Sequence, residues 1–299
     1  LILTGAGAKS FVAGADIGEM SSLTKAEGEA FYHVVSRIAN KAFLLNNDEK
    51  KCVFVNMMHR AADFSGVDVI TYVVMDNHFH LCVRVPKREG EIPESEILRR
   101  VGVLYGEDRR AALEKRLAGF REEGDDTAIA AELEKLRARM GDLSEFMKTL
   151  KQRVSQWYNS NYSHEGTLWG GRFKSVLVED GRYLNNLIAY IHGNPIRAGI
   201  VTRAADYKWS APGAAAKGDA RAKKGLSLLG VSVGDGGFAV RDGRFVNGMI
   251  IGSKAFVKEM ASRHSLCFGD VAVKVRQFVL GMVKTYATHG QRSTPVEAA

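Results

Sequence analysis

The chain has 299 residues, 45% hydrophobic and 25% charged, which excludes a disordered protein and leaves material for one large or two small domains. No apolar run approaches the roughly 18 residues of a membrane span, and no basic stretch leads into an apolar one as an export signal would, so a cytoplasmic protein with no membrane partner is expected. The formal charge of +8 is uneven: residues 1–140 hold 20 basic and 22 acidic side chains, whereas 141–299 hold 22 and 12, an asymmetry that suits either a polyanion partner or a solvated basic surface.

The elements follow in chain order. FYHVVSRI (31–38) alternates like a strand. Asp48 can cap a helix with Phe54, Val55, Met58, Ala61 and Ala62 on one face, ending near Gly66. VDVITYVVM (67–75), the turn pair Asp76-Asn77 and the strand that follows predict a hairpin closed by Pro86. Within MDNHFHLCVRV (75–85), alternation sends Phe79, Leu81, Val83 and Val85 toward a core and His78, His80, Cys82 and Arg84 to the other face. The two imidazoles then lie side by side, close enough to share a ligand. Cys52, Cys82 and Cys267 are odd in number, widely spaced and without a CxxC pair, which argues against a disulfide framework or a zinc knuckle.

Residues 87–140 are highly charged and helix-favouring, and read as an insertion with solvated charges. From Asp142, which can form a capping box with Glu145, the residues Leu143, Phe146, Met147, Leu150, Val154 and Trp157 recur at helical spacing. RFKSVLVED (172–180) is a further strand. Strand, helix, hairpin, helix, strand is the ferredoxin-like order, an α+β fold with an antiparallel sheet covered by helices on one face and free on the other, where the histidines would lie. In DGRYLNNLIAYIHGNPIRAGIV, Leu184, Leu187, Ile188 and Ile191 form a buried stripe on a helix that Asp180 can cap. Asn186, Tyr190 and Asn194 form a separate row, with Pro195 moving Asn194 to the helix end.

MDNHFHLCV, GRFKSVLVED, YIHGNPIRAGIV and the upstream YHVVSRIANKAFLL together resemble the REP-associated tyrosine transposases, relatives of the single-tyrosine HUH transposases, over residues 32–210. That resemblance implies His78, His80 and Asn194 as ligands of Mg²⁺ or Mn²⁺, which would polarise a scissile phosphate. It implies Tyr190 as the nucleophile that forms a 5′-phosphotyrosine on single-stranded or hairpin DNA; the sequence leaves monomer and homodimer both open. Trp169, Arg172 and Lys174 can stack on a base and hold phosphates, or LWGGRF can be a Gly-rich turn anchored by a buried tryptophan. Arg197 is a further nucleic-acid-binding candidate. Asp76 stands where the family commonly has proline, and Gly193 replaces a larger residue ahead of Asn194.

Residues 1–31 resemble a fragment of an enoyl-CoA hydratase of the crotonase family, with the backbone N–H of Ala15 at half of an oxyanion hole. They read as a fused fragment, which the absent initiator methionine suits as a truncated or chimeric frame. No cofactor is expected to bind there. Residues 211–299 begin like a linker and include GSKAFVKEMASRH, a short basic helix, in either a DNA-binding accessory domain or a basic packing extension. Three functions follow from these readings: metal-dependent cleavage and transfer of single-stranded DNA, a nucleic-acid-binding protein that keeps the fold without strand transfer, and, remotely, an enoyl-CoA hydratase-like protein.

Overall fold

The strand that begins at Ala30 is buried on both faces from Phe31 to Ser36, and it lies inside the sheet. The structure is a computed structural model that describes residues 2–4, 29–87, 90–228 and 248–263. Strand β2 (Ala30–Arg37) pairs antiparallel with β4 (His78–Val85) on one side and β5 (Lys174–Val178) on the other. Strand β3 (Asp68–Val74) pairs antiparallel with β4 as the predicted hairpin, the Met75 N–H donating to the His78 carbonyl across the Asp76-Asn77 turn at 2.9 Å. Beyond β5 lie β6 (Gly248–Ile251), parallel to β5, and β1 (Ile2–Thr4), antiparallel to β6. The order among the described residues is β1-β6-β5-β2-β4-β3, and β5-β2-β4-β3 within it is the ferredoxin-like arrangement expected of an α+β chain.

Helix α1 (Asp48–Ser65) is capped one residue earlier than predicted. Asn47 has the extended backbone that a cap requires and its side chain accepts from the Lys50 N–H at 2.9 Å. Asp48 instead accepts from Lys208 Nζ (2.7 Å) and Trp209 Nε1 (3.0 Å). The helix ends where Gly66 takes a left-handed φ of 65°. The charged stretch folds into α2 (Glu94–Tyr105), α3 (Glu107–Glu122) and α4 (Asp126–Arg137). Its charges pair on the outside, as Arg99 does with Asp63 and Arg121 with Glu94, but Ile97, Val101, Leu104, Leu113, Leu117 and Leu133 join the main core. The stretch is therefore continuous with that core. Helix α5 (Leu143–Tyr162) takes half of the predicted capping box: Asp142 Oδ1 accepts from the N–H groups of Ser144 and Glu145 at 2.6 and 3.1 Å, while the Glu145 carboxylate turns to Lys148 and Arg139.

One face of the sheet carries Tyr32, Val34, Phe79, Leu81, Val83 and Val85 against α1 and α5. The other is not free. Helix α6 (Arg182–His192) lies across it, burying Leu184, Leu187, Ile188 and Ile191 against Phe31, Ile70, Val73, Cys82, Val176 and Val178. The apolar stripe is the predicted one, but its partner, the second face, follows only from the path of the chain after β5. Asp180 does not cap α6; its carboxylate accepts from the adjacent Gly181 N–H, and Gly181 is the cap residue.

The start of the 211–299 segment is also packed. Helices α8 (Ala211–Ala216) and α9 (Ala220–Ser227) lie along β3, where a Cβ on Gly225 would meet the carbonyl oxygens of Val69 and Ile70 at 2.5 and 2.7 Å. The predicted basic helix is α10 (Lys254–Arg263). The position of Ala15 and that of Cys267 lie outside the described residues, and nothing among the described residues supports the crotonase reading.

Candidate functional site

Strand register decides which side chains meet under α6. Val35 pairs with His80, His33 with Cys82 and Arg37 with His78, so alternation places His33, Arg37, His78 and His80 on one face. The His33 and His80 rings stack with centroids 5.1 Å apart and planes 7° from parallel, and His33 Nε2 and His80 Nδ1 share a hydrogen bond of 2.9 Å. Both rings are buried, at 0% and 3% exposure. His78 stands edge-on to His80 with centroids 5.1 Å apart. The predicted pairing of the two HxH imidazoles is therefore present, with a third imidazole beside it. The signal for His33 is its place in the alternation of FYHVVSRI; without the register, nothing sets it against His80.

The turn settles the tautomer of His78. Asn77 donates its Nδ2 to the Lys41 carbonyl at 3.3 Å, which leaves Oδ1 facing His78 Nδ1 at 2.6 Å. An amide oxygen only accepts, so His78 Nδ1 carries the hydrogen and Nε2 carries the lone pair. Burial holds the basicity of His78 down to about 4, helped by Arg37 and opposed by Asp76. His80 is held well below its usual range, first by burial and then by His33, His78, Arg197 and Arg37. Both are neutral imidazoles at neutral pH. The carboxylate of Asp76 is paired with Lys51 Nζ at 2.5 Å, and Lys51 also donates to the Tyr207 hydroxyl at 3.1 Å.

Tyr190 comes down from α6 because the stripe of Leu187, Ile188 and Ile191 fixes the helix rotation. Its ring stands edge-on to His80 at 5.7 Å and to His33 at 5.9 Å. The guanidinium of Arg197 lies over the same ring at 4.6 Å, and Arg197 Nη2 donates to the Tyr190 carbonyl at 2.7 Å. Helix α6 ends at His192, as Pro195 predicts, and Asn194 opens the short α7 (Asn194–Arg197). Asn194 Nδ2 donates to the carbonyls of Tyr190 (3.1 Å) and Ile191 (3.2 Å). Asn194 and Arg197 therefore satisfy the carbonyls that a helix end leaves open. Gly193 has ordinary right-handed helical angles, φ −74° and ψ −8°.

The donor set fits a divalent ion. His78 and His80 both bond through Nδ1, and Asn194 bonds through its NH₂, so the two Nε2 atoms and one amide oxygen are the atoms through which these residues would hold an ion. Among the described residues no group of three or more His, Cys, Asp or Glu side chains forms a metal cluster. An ion here would rest on two imidazoles and a neutral amide.

The other sequence candidates divide. Lys174 pairs with Val35, as His80 does from the other side, which puts it on the histidine face and half-buried. Arg172 is exposed. Trp169 is only 5% exposed, packs on Phe54 and Phe79, and donates Nε1 to the Lys151 carbonyl at 3.0 Å. The tryptophan anchors the Gly-rich turn in the core, a position from which its ring does not stack on a base. Sequence reasoning does not single out Arg37, which sits at the exposed end of β2, across from His78.

His192, at 2% exposure, ties α6 to the sheet through a 2.8 Å hydrogen bond between Nε2 and Thr71 Oγ1. Burial holds its basicity down to about 4. A histidine with a depressed native pKa binds its proton first in the unfolded chain, so its contribution is fully present above the unfolded value of about 6.5 and is lost as the pH falls toward 4. The loss for His192 is about 3 kcal/mol over that window. His192→Gln should flatten the fall in melting temperature between pH 7 and 4 measured by circular dichroism. A slope equal to that of the wild type would remove His192 as a source of acid sensitivity.

No family model matches the chain, and no curated protein matches it. Among solved structures, that of a REP-associated tyrosine transposase bound to a REP hairpin is similar over 77% of this chain and 96% of the other, with 13% identity and a TM-score of 0.44. No helix among the described residues is long and apolar enough to cross a membrane.

Proposed function

We propose that the chain cleaves single-stranded DNA and transfers the strand in the manner of a transposase, with Tyr190 as nucleophile and a divalent ion, Mg²⁺ or Mn²⁺, held by His78, His80 and Asn194. The observation that carries this reading is the approach of the Tyr190 ring to His80, with Arg197 on the other contact of the same ring. In the reaction, the Tyr190 phenolic oxygen attacks the phosphorus of a phosphodiester. The bond from phosphorus to the 3′ oxygen breaks, that oxygen takes a proton from solvent and leaves as a 3′-hydroxyl, and the 5′ side remains as a phosphotyrosine. The phenol proton passes to solvent or to a base. The ion, when bound, supplies charge stabilisation at the phosphate oxygens. Arg197 and Asn194 hold the carbonyl of Tyr190 and so fix where the ring stands, and Arg37 and Lys174 supply cationic side chains on the same face as the histidines for the DNA backbone.

The second reading, a protein that binds nucleic acid without transferring it, draws on the burial of His80 and on the mutual hydrogen bond of His33 and His80. The two separate in one experiment. Labelled single-stranded hairpin DNA, taken from palindromic repeats of the source genome and incubated with the full chain and Mn²⁺, should yield a protein-linked band on denaturing electrophoresis. Binding of the same DNA with no adduct on any such substrate would favour the second reading.

A further inference from the structure

We propose that His33 is a positioning residue for His80: its Nε2 accepts the Nδ1–H of His80 and so leaves the Nε2 lone pair of His80 directed to a divalent cation. The inference rests on the metal-dependent reading above and adds a residue to it. Three observations carry it. The two nitrogens are 2.9 Å apart in nearly parallel, stacked rings, both fully enclosed between the sheet and α6. Among the described residues this is the hydrogen bond that His80 makes. If the proton lay the other way, on His33 Nε2, the neutral ring of His80 would carry its own hydrogen on Nε2 and would have no lone pair there for an ion. Finally, His78 next to it has the same arrangement, its Nδ1–H held by Asn77 Oδ1 and its Nε2 left open. A partner on the second ring nitrogen is what sets the tautomer of a metal-binding histidine and raises its basicity as a ligand.

Two readouts on the full chain test this. Nitrogen NMR of the metal-free protein should show His80 with its proton on Nδ1 in the wild type and moved toward Nε2 in His33→Phe, which keeps an aromatic ring in the stack but has no acceptor. Titration with Mn²⁺, followed by the electron paramagnetic resonance of the free ion, should show affinity falling roughly 10- to 100-fold in His33→Phe. His33→Gln, which restores an acceptor, should recover most of the loss. A wild-type His80 with its proton on Nε2 overturns the proposal, as does unchanged Mn²⁺ affinity in His33→Phe. If His33→Phe does not fold, the wild-type tautomer and the His33→Gln titration still decide between the two outcomes. A wild type that binds no Mn²⁺ defeats the metal-dependent reading instead, and the position of the His80 proton still tests the role of His33 on its own.

Discussion

Tyr190→Phe is expected to eliminate the protein-linked DNA band while leaving single-stranded DNA and Mn²⁺ binding within about twofold of the wild type. The substitution keeps the ring that stands against His80 and His33 and under Arg197, so the packing of α6 on the sheet is retained and only the nucleophilic oxygen is lost. A phenol has an unperturbed pKa of about 10, so attack at neutral pH depends on the surrounding charge. His78→Ala and His80→Ala should behave differently: each removes a proposed ligand and is expected to lose Mn²⁺ binding together with cleavage. Asn194→Ala should weaken Mn²⁺ binding less, because water can replace an amide oxygen. Adduct formation by Tyr190→Phe would transfer the nucleophilic role to another residue and would break the site assignment.

Phe79→Ala is expected to destabilise the fold by about 3–5 kcal/mol, the range for removing a fully buried phenylalanine. Its side chain has 0% exposure, with its ring 4.7 Å from Phe54 and 5.6 Å from Trp169. It also lies between His78 and His80 in β4 and points to the opposite face of the sheet. The same stretch of strand is thereby anchored on one side by an aromatic core and aims two imidazoles on the other. Urea unfolding measures the loss, and Mn²⁺ titration of the folded fraction measures how far the histidines depend on that anchor. A loss below about 1 kcal/mol would mean that the cavity collapses freely and that Phe79 does not hold β4 in place.

The local elements of this protein are decided by its sequence. The alternation around His78 and His80, the turn at Asp76-Asn77, the stripe of Leu184, Leu187, Ile188 and Ile191 and the end of α6 before Pro195 are all periodic or conformational signals, and each depends only on neighbours within a few residues. The order of those elements also determines the ferredoxin-like sheet. Caps are less legible: Asn47 rather than Asp48 starts α1, and Gly181 rather than Asp180 precedes α6, because a residue or two of backbone geometry selects among adjacent polar side chains.

The tertiary structure decides what no local signal contains. Whether a charged helical stretch stands apart or lends Leu104 and Leu117 to a common core depends on the surface it meets. Whether Trp169 offers a face to solvent depends on Phe54 and Phe79 arriving from α1 and β4. The pairing of His33 with His80 is of the same kind. A strand's alternation assigns each side chain to a face, but only the register between β2 and β4, set by the packing of both strands, puts those two rings against one another, and only the return of α6 over that face brings Tyr190 to them.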